Sequence, residues 1–492
     1  MPASPSRASA PASRPWGNAL EGAAAALCAV VAMAAASAIA LAIFGPRSTG
    51  SLWSLTMAVT ALAVGGSMRI GPDPLPMPAA QPTGGAAANM SMSGTAHVFP
   101  LAVTLAGAVV FWLLFSRRLR QRQFDVGALA ARTVGAVVAA VLVLWGTATL
   151  AHGTFSAPTP SEGTGAFGLG GKLEDLLEKL FGGGGLAGGA SGGAAAAAPP
   201  PMTYHVQAGA TVLGALVWTV VVIAVGFLIS RRVPPGFPAR GLRAAWAPSA
   251  SSAVRIPLVV AAVMTIVGAV AAGDTMAAGG ALLLTPISLV TVLSLGLGST
   301  WTSSTRQVQS AAAAQAAGQQ ASGQAATPLP DHNQHLGALT VGGVPVWIAA
   351  IVVTVLVLLS CAYVAARATD PGHARPLHPW PDGSMARHLG LAERFGFVTA
   401  VVLGGAAALA QVSFRTGVTM AGHVVGGTEV KLGGGVLWTF VAGLLAGAVA
   451  GFAGSLLQGV GQKSQASRLP RRSPVTVGGG HVPSDTAVEP GA

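Results

Sequence analysis

The chain has 492 residues, of which 52% are hydrophobic and only 9% charged, and its mean hydropathy is +0.63. Soluble domains carry roughly 25% charged residues, so this composition excludes a water-facing globular protein and leaves a multi-pass helical membrane protein. The net charge of +12 is then a topological signal rather than a nucleic-acid footprint, because cytoplasmic loops of membrane proteins collect Arg and Lys.

Ten apolar segments follow in chain order, at 22–44, 52–68, 98–115, 133–151, 206–230, 256–272, 277–298, 344–365, 395–414 and 433–457. They match the length needed to cross a hydrocarbon core, roughly 17–25 residues, where a helix closes its backbone hydrogen bonds internally. The first follows a leader carrying Arg7 and Arg14. It is too long for the apolar stretch of a cleaved signal peptide and is expected to be a retained span. The second lies in SLWSLTMAVTALAVGGS (51–67) and the seventh in ALLLTPISLVTVLSLGLGS (281–299); both end in Gly-Ser.

The connections 69–97, 154–205, 299–343 and 415–432 are rich in Gly, Ala, Ser, Gln and Pro. Their composition predicts linkers that bury too little surface to fold alone. KLEDLLEKLF (172–181) is the exception, with Leu173, Leu176, Leu177 and Leu180 at helical spacing and Asp175 one turn before Lys179. It is expected as an amphipathic helix resting on the membrane surface or docked on the spans.

Simple alternation from a cytoplasmic N-terminus fails the charge rule. It places SRRLRQRQ (116–123) and the loop with Arg231, Arg232, Arg240, Arg243 and Arg255 on the outer side. If the second and seventh segments re-enter or lie along the interface, those clusters become cytoplasmic. The outer side then keeps only Arg47, Arg69, Lys172, Lys179, Arg306, Arg415 and Lys431. Eight full crossings with both termini in the cytoplasm are therefore expected.

The two non-crossing segments fall at corresponding places, which suggests that the chain is built twice. In each half a short Gly-flanked segment follows the first span. The last span follows His-Val (His205, His423) and contains Trp-Thr (Trp218-Thr219, Trp438-Thr439). The expected fold is all-α, a polytopic helical membrane protein of ten apolar segments in two parallel repeats, each with four spans and one short re-entrant or interfacial segment. The expected division is a disordered cytoplasmic leader 1–18, repeat A 19–233, a basic cytoplasmic linker 234–255, repeat B 256–460 and a disordered cytoplasmic tail 461–492.

Chemistry-bearing patterns are sparse. GASGG (189–193) fits the letters of a nucleophile elbow but lies in a Gly/Ala loop without the strand-to-helix turn that motif needs. Cys28 and Cys361 sit inside spans as small apolar groups. Met77, Met90, Met92 and His97 offer soft ligands that suit Cu(I), and His332 and His335 form a second group, yet neither spacing matches a tight metal signature. No metal, cofactor or catalytic residue is assigned. The span interiors are read as free of charge, with Glu21, Arg132 and Asp274 at span ends, which disfavours ion-coupled transport. Gly443, Gly447 and Gly451 recur every fourth position and are read as a helix-packing face. A site, if present, is expected where the two short segments meet across the repeat interface, at Thr56, Gly65, Gly66, Thr285, Pro286, Gly296 and Gly298.

The stretches RPWGNALEGAAAALCAVVAMAAASAIAL, TMAVTALAVGGS and FPLAVTLAGAVVF before an Arg cluster together resemble the streptophobe family of very hydrophobic actinomycete membrane proteins. Preference for Arg over Lys and for Ala and Gly fits that source. The resemblance implies membrane residence and architecture and transfers no site. The layout is also faintly similar to PerM-like envelope proteins associated with division. The expected function is a non-enzymatic scaffold or accessory of the bacterial cell envelope, with a permease or channel for a neutral or apolar solute as the alternative. Expected partners are the lipid bilayer and a membrane-protein partner or second copy, without nucleic acid.

Overall fold

A computed structural model describes residues 15–44, 51–71, 90–119, 126–155, 202–229, 240–271, 275–309, 332–338, 340–341, 344–369, 384–420 and 423–466. The 172–181 segment, GASGG and Met77 lie outside the described residues. The principal helices are α1 (Pro15–Phe44), α2 (Leu52–Leu62), α3 (Leu101–Leu119), α4 (Val126–Leu150), α5 (Ala208–Ile229), α6 (Arg240–Ala271), α7 (Thr275–Gly296), α8 (Val346–Ala368), α9 (Ser384–Leu409) and α10 (Val436–Ala466). Eight of them, all but α2 and α3, are long and apolar enough to cross a membrane. The fold is that of a multi-pass membrane protein.

Burial in these helices selects for size rather than polarity. Along α4, Ala136, Ala140 and Leu144 are buried with Arg132 and Thr147, while Val134, Val138, Leu142 and Trp145 face outward. In lipid, large apolar side chains gain nothing from hiding. Association instead comes from close van der Waals approach, which small residues permit. Two clusters result. One packs α1, α3, α4 and α5 around Met33, Phe111, Phe115 and Leu144; the other packs α6 to α10 around Leu293, Cys361 and Phe395.

The all-α expectation is corrected by the connections. They supply β1 (Met68–Gly71), β2 (Met90–His97), β3 (His152–Phe155), β4 (Met202–Val206), β5 (Trp301–Gln309), β6 (His332–His335), β9 (Val412–Met420) and β10 (His423–Gly434), which form one eight-stranded sheet. Two short strands, β7 (Thr340–Val341) and β8 (Val344–Pro345), pair separately. The stretches expected as linkers thus hold strands near their ends, where the chain enters or leaves a helix. No single loop could bury a sheet face. Eight strands seated together on the helix ends can, and six of them are paired on both sides, leaving only the short β3 and β6 as edges.

The strand order is β3-β4-β1-β2-β9-β10-β5-β6. The first four come from the N-terminal half and the last four from the C-terminal half, joined by the antiparallel β2–β9 pair. Registers correspond as well. Met68 opposes Val206 where the chain enters α5, and Trp301 opposes Gly434 where it enters α10.

The basic segment 234–255, expected as a linker, is helical from Arg240 onward as the first half of α6. The Trp-Thr pairs do not correspond in space. Thr439 lies in the first turn of α10, bonded to Gly435 O, whereas the first turn of α5 holds Thr211, bonded to Gln207 O. Trp218 and Thr219 lie two turns further along α5.

Candidate functional site

Both ends of α2 lie beside the sheet. At its start, Ser54 Oγ is 2.7 Å from the Tyr204 hydroxyl in β4. Beyond its end, the Gln207 amide donates to Ser67 O at 2.9 Å. Between these points the segment reaches into the helix layer, where Thr60 Oγ1 meets Ser37 of α1 at 3.4 Å and Ala63 O accepts from Thr104 of α3 at 2.6 Å.

The segments α2 and α7 end identically. Gly66 N donates to Ala61 O and Gly65 N to Leu62 O; Ser299 N donates to Ser294 O and Gly298 N to Leu295 O. Each is the paired-bond cap that turns a chain out of a helix through one left-handed residue. That residue is Gly65 (φ +103°) or Gly298 (φ +80°), where a side chain would be strained.

The other expected site residues serve packing. A Cβ on Gly66 would lie 2.8 Å from Thr211 Oγ1, and one on Gly296 would collide with Thr354 Oγ1 and Ala350 O of α8. Thr56 Oγ1 donates to Leu52 O at 2.8 Å and Thr285 Oγ1 to Ala281 O at 2.5 Å, each within its own helix. Helix α7 runs unbroken through Pro286. Measured back from the two caps, Thr56 and Thr285 differ by one helical turn, so they are not equivalent. The main partners of α2 are α1 and α4, while those of α7 are α8, α6, α1 and α3. Helix α7 packs on helices of both halves, whereas the main helix partners of α2 belong to the N-terminal half, and the two segments are not main partners of each other as the sequence suggested. In α10, Gly447 sits against Thr399 and Gly396, Gly443 against Ala400 and Gly451 against Ala392, all on α9.

An open depression of about 410 Å³ lies at the start of α2, lined by Ser51, Trp53, Ser54, Leu150, His152, Gly153 and Thr154. Burial raises the Tyr204 phenol above its ordinary value, against the opposing effect of its bond to Ser54. Among the described residues no three His, Cys, Asp or Glu side chains group as metal ligands. His97 is an odd number of residues from Met90 and Met92 along β2, so strand alternation puts its imidazole on the face opposite those positions.

Comparison with protein-family models, characterised proteins and solved structures finds no match to this chain.

Two buried arginines correct the expectation of uncharged span interiors. Arg132 lies within α4, 3.6 Å from Glu21 of α1, donating to Leu114 O of α3 at 3.3 Å with its guanidinium 4.9 Å over the Phe115 ring. Arg394 lies within α9 and is 3.5 Å from Ala245 O of α6. His388 meets Ser455 of α10 at 2.7 Å. These groups lie toward the helix ends remote from the sheet and tie neighbouring helices together. Arg132 is expected at a span end because hydropathy falls there, and Arg394 precedes the apolar segment 395–414; the helices begin earlier, at Val126 and Ser384, and take both arginines in.

Proposed function

We propose that the chain is a bacterial plasma-membrane protein with both termini in the cytoplasm, built from two parallel repeats and acting as a non-enzymatic scaffold of the cell envelope. The observation that carries this reading is the β2–β9 pairing, which runs from Met90 opposite Met420 to His97 opposite Ser413. It makes one rigid platform from strands of both halves, suited to presenting a fixed surface outside the membrane. The repeat is supported by the matching strand order, registers and caps. In this reading α7, despite its length, returns to the sheet side, since Ile287 already packs with Leu101 and Ala410 at sheet-side helix ends. The crossings are then α1, α3, α4, α5, α6, α8, α9 and α10. The sheet faces outward and the clusters at 117–122 and 231–255 face the cytoplasm, in keeping with the charge rule. The streptophobe resemblance belongs to the same proposal.

The second reading, a permease for a neutral or apolar solute, is favoured by the two matched caps within the helix layer, since interrupted helices commonly line transport sites. A disulfide between Thr95→Cys and Arg415→Cys, which are directly opposed on β2 and β9, separates the two. In proteoliposomes a scaffold gives no saturable flux of glycerol or neutral sugars, with or without the crosslink. Saturable flux abolished by the crosslink would establish the permease instead. In cells, a membrane-impermeant maleimide should label Arg306→Cys from outside; labelling only after permeabilisation would overturn the orientation.

A further inference from the structure

Strand pairing aligns one transverse row across the sheet. His152 opposes His205, His205 opposes Arg69, Arg69 opposes Thr95, Thr95 opposes Arg415, Arg415 opposes Glu429 and Glu429 opposes Arg306. Directly opposed residues project from the same face. Arg69, Arg306 and Arg415 are exposed, and so is Lys431, two residues beyond Glu429 on that face. The intervening positions Tyr204, Ala96 and Val430 are buried; Tyr204 clusters with Met57 and Ala58 of α2, and Leu432, on the same side of β10 as Val430, clusters with Ala407 of α9. The row therefore lies on the side turned away from the membrane.

Strands are about 4.8 Å apart, so the arginines on β1, β9 and β5 stand about 10 Å from one another in a line about 19 Å long. Glu429 is the one carboxylate among the described residues of this face. It accepts from Arg415 Nη2 at 2.9 Å and Lys431 Nζ at 2.8 Å, fixing both cations on the sheet. Every basic residue expected on the outer side and lying among the described residues, namely Arg69, Arg306, Arg415 and Lys431, belongs to this face. Concentrating them here runs against the general depletion of Arg and Lys outside the membrane. An even line of guanidinium forks matches a linear chain of singly charged phosphates.

We propose that this face binds a linear phosphodiester-linked polymer of the cell envelope along the Arg69–Arg415–Arg306 row. The proposal rests on the outward placement of the sheet for its biological partner, whereas its test does not. Full-chain protein in phosphatidylcholine nanodiscs exposes both faces and is titrated with labelled linear poly(glycerol phosphate), with polyglutamate and a single-stranded oligonucleotide as competitors. Binding should weaken steeply with salt. The Arg69→Gln/Arg306→Gln double variant, which leaves the Glu429 contacts intact, should bind at least about tenfold more weakly, with the salt slope reduced by about one for each cation removed. Glu429→Gln should bind more tightly, because it removes the competing carboxylate. Absence of binding at low salt, unchanged binding by a double variant of normal thermal stability, or equal competition by polyglutamate overturns the proposal, and tighter binding of the oligonucleotide assigns the face to nucleic acid instead. Failure here leaves the scaffold reading intact, and a flux result that overturns the scaffold leaves this binding test unaffected.

Discussion

Thr439 Oγ1 lies 2.9 Å from Ser299 Oγ, joining the first turn of α10 to the cap of α7, and both side chains are fully buried. In the N-terminal half the same place is taken by Thr211 against Gly66, where no second hydroxyl is present. Removing the Thr439 hydroxyl leaves the buried Ser299 Oγ with only its long 3.5 Å bond to Gly435 O. Thr439→Val should therefore cost about 1–3 kcal/mol, and the Ser299→Ala/Thr439→Val double variant should cost less than the sum of the two singles. Thermal unfolding in detergent measures both, and strict additivity would mean the two groups do not interact.

Glycine substitutions in α9 and α10 should sort by what a new methyl group meets. At Gly447 it would lie 2.7 Å from Thr399 Cβ and 2.9 Å from Gly396 Cα, so Gly447→Ala should destabilise by about 1–3 kcal/mol. At Gly405 nothing lies within 4 Å, and Gly405→Ala should be neutral or stabilising by about 0.5–1 kcal/mol through helix propensity. Equal effects at the two positions would show that α9 and α10 do not approach through Gly447.

The Tyr204 phenol gives a pH signature. Its folded value is raised by burial, with Ser54 acting in the other direction. A raised value means that the neutral phenol is favoured by folding, so its contribution is fully present below the ordinary tyrosine value and is lost as pH rises through the folded one. Thermal stability should fall above about pH 10, and Tyr204→Phe should flatten that fall. An unchanged alkaline limb in the variant would assign the loss to other groups.

Glu429 supplies the opposite sign on the same sheet. Its carboxyl is held below the usual range first by the hydrogen bond from Lys431, with burial opposing and Arg415 adding to the lowering. Its contribution is present above the ordinary carboxylate value and is lost as pH falls through the depressed one. A Glu429→Gln variant should lack that acid-side loss when thermal stability is followed from pH 6 to pH 3.

Breaking the Arg132 cluster should be costly in one direction. Arg132→Ala leaves Glu21 beside an emptied, buried position and should cost about 3–5 kcal/mol, whereas Arg132→Met, which fills the volume, paired with Glu21→Gln should recover much of that loss. If the paired variant is no more stable than Arg132→Ala, the arginine serves something other than helix packing.

Composition and apolar run length were enough to read a multi-pass helical membrane protein, because lipid leaves a spanning chain no other way to satisfy its backbone. The Gly-Ser endings of the two short segments marked the turns made at Gly65 and Gly298, since a left-handed cap selects glycine locally. Tertiary structure decided what depends on distant partners. The eight-stranded sheet was not legible because its strands are short pieces of Gly-, Ser- and Thr-rich connections with weak alternation of their own. Their pairing comes from seating beside helix ends and from neighbours in the other half, as with Thr95 opposite Arg415. The row of arginines was invisible for the same reason: Arg69, Arg306 and Arg415 are far apart in sequence, and only strand register brings them into line. That Thr211 and Thr439, rather than the two Trp-Thr pairs, occupy the first turns of α5 and α10 likewise appears only once the strands fix where each helix begins. Apolar spans of Ala, Gly and Val resemble one another at many offsets, and hydrogen-bond register admits one.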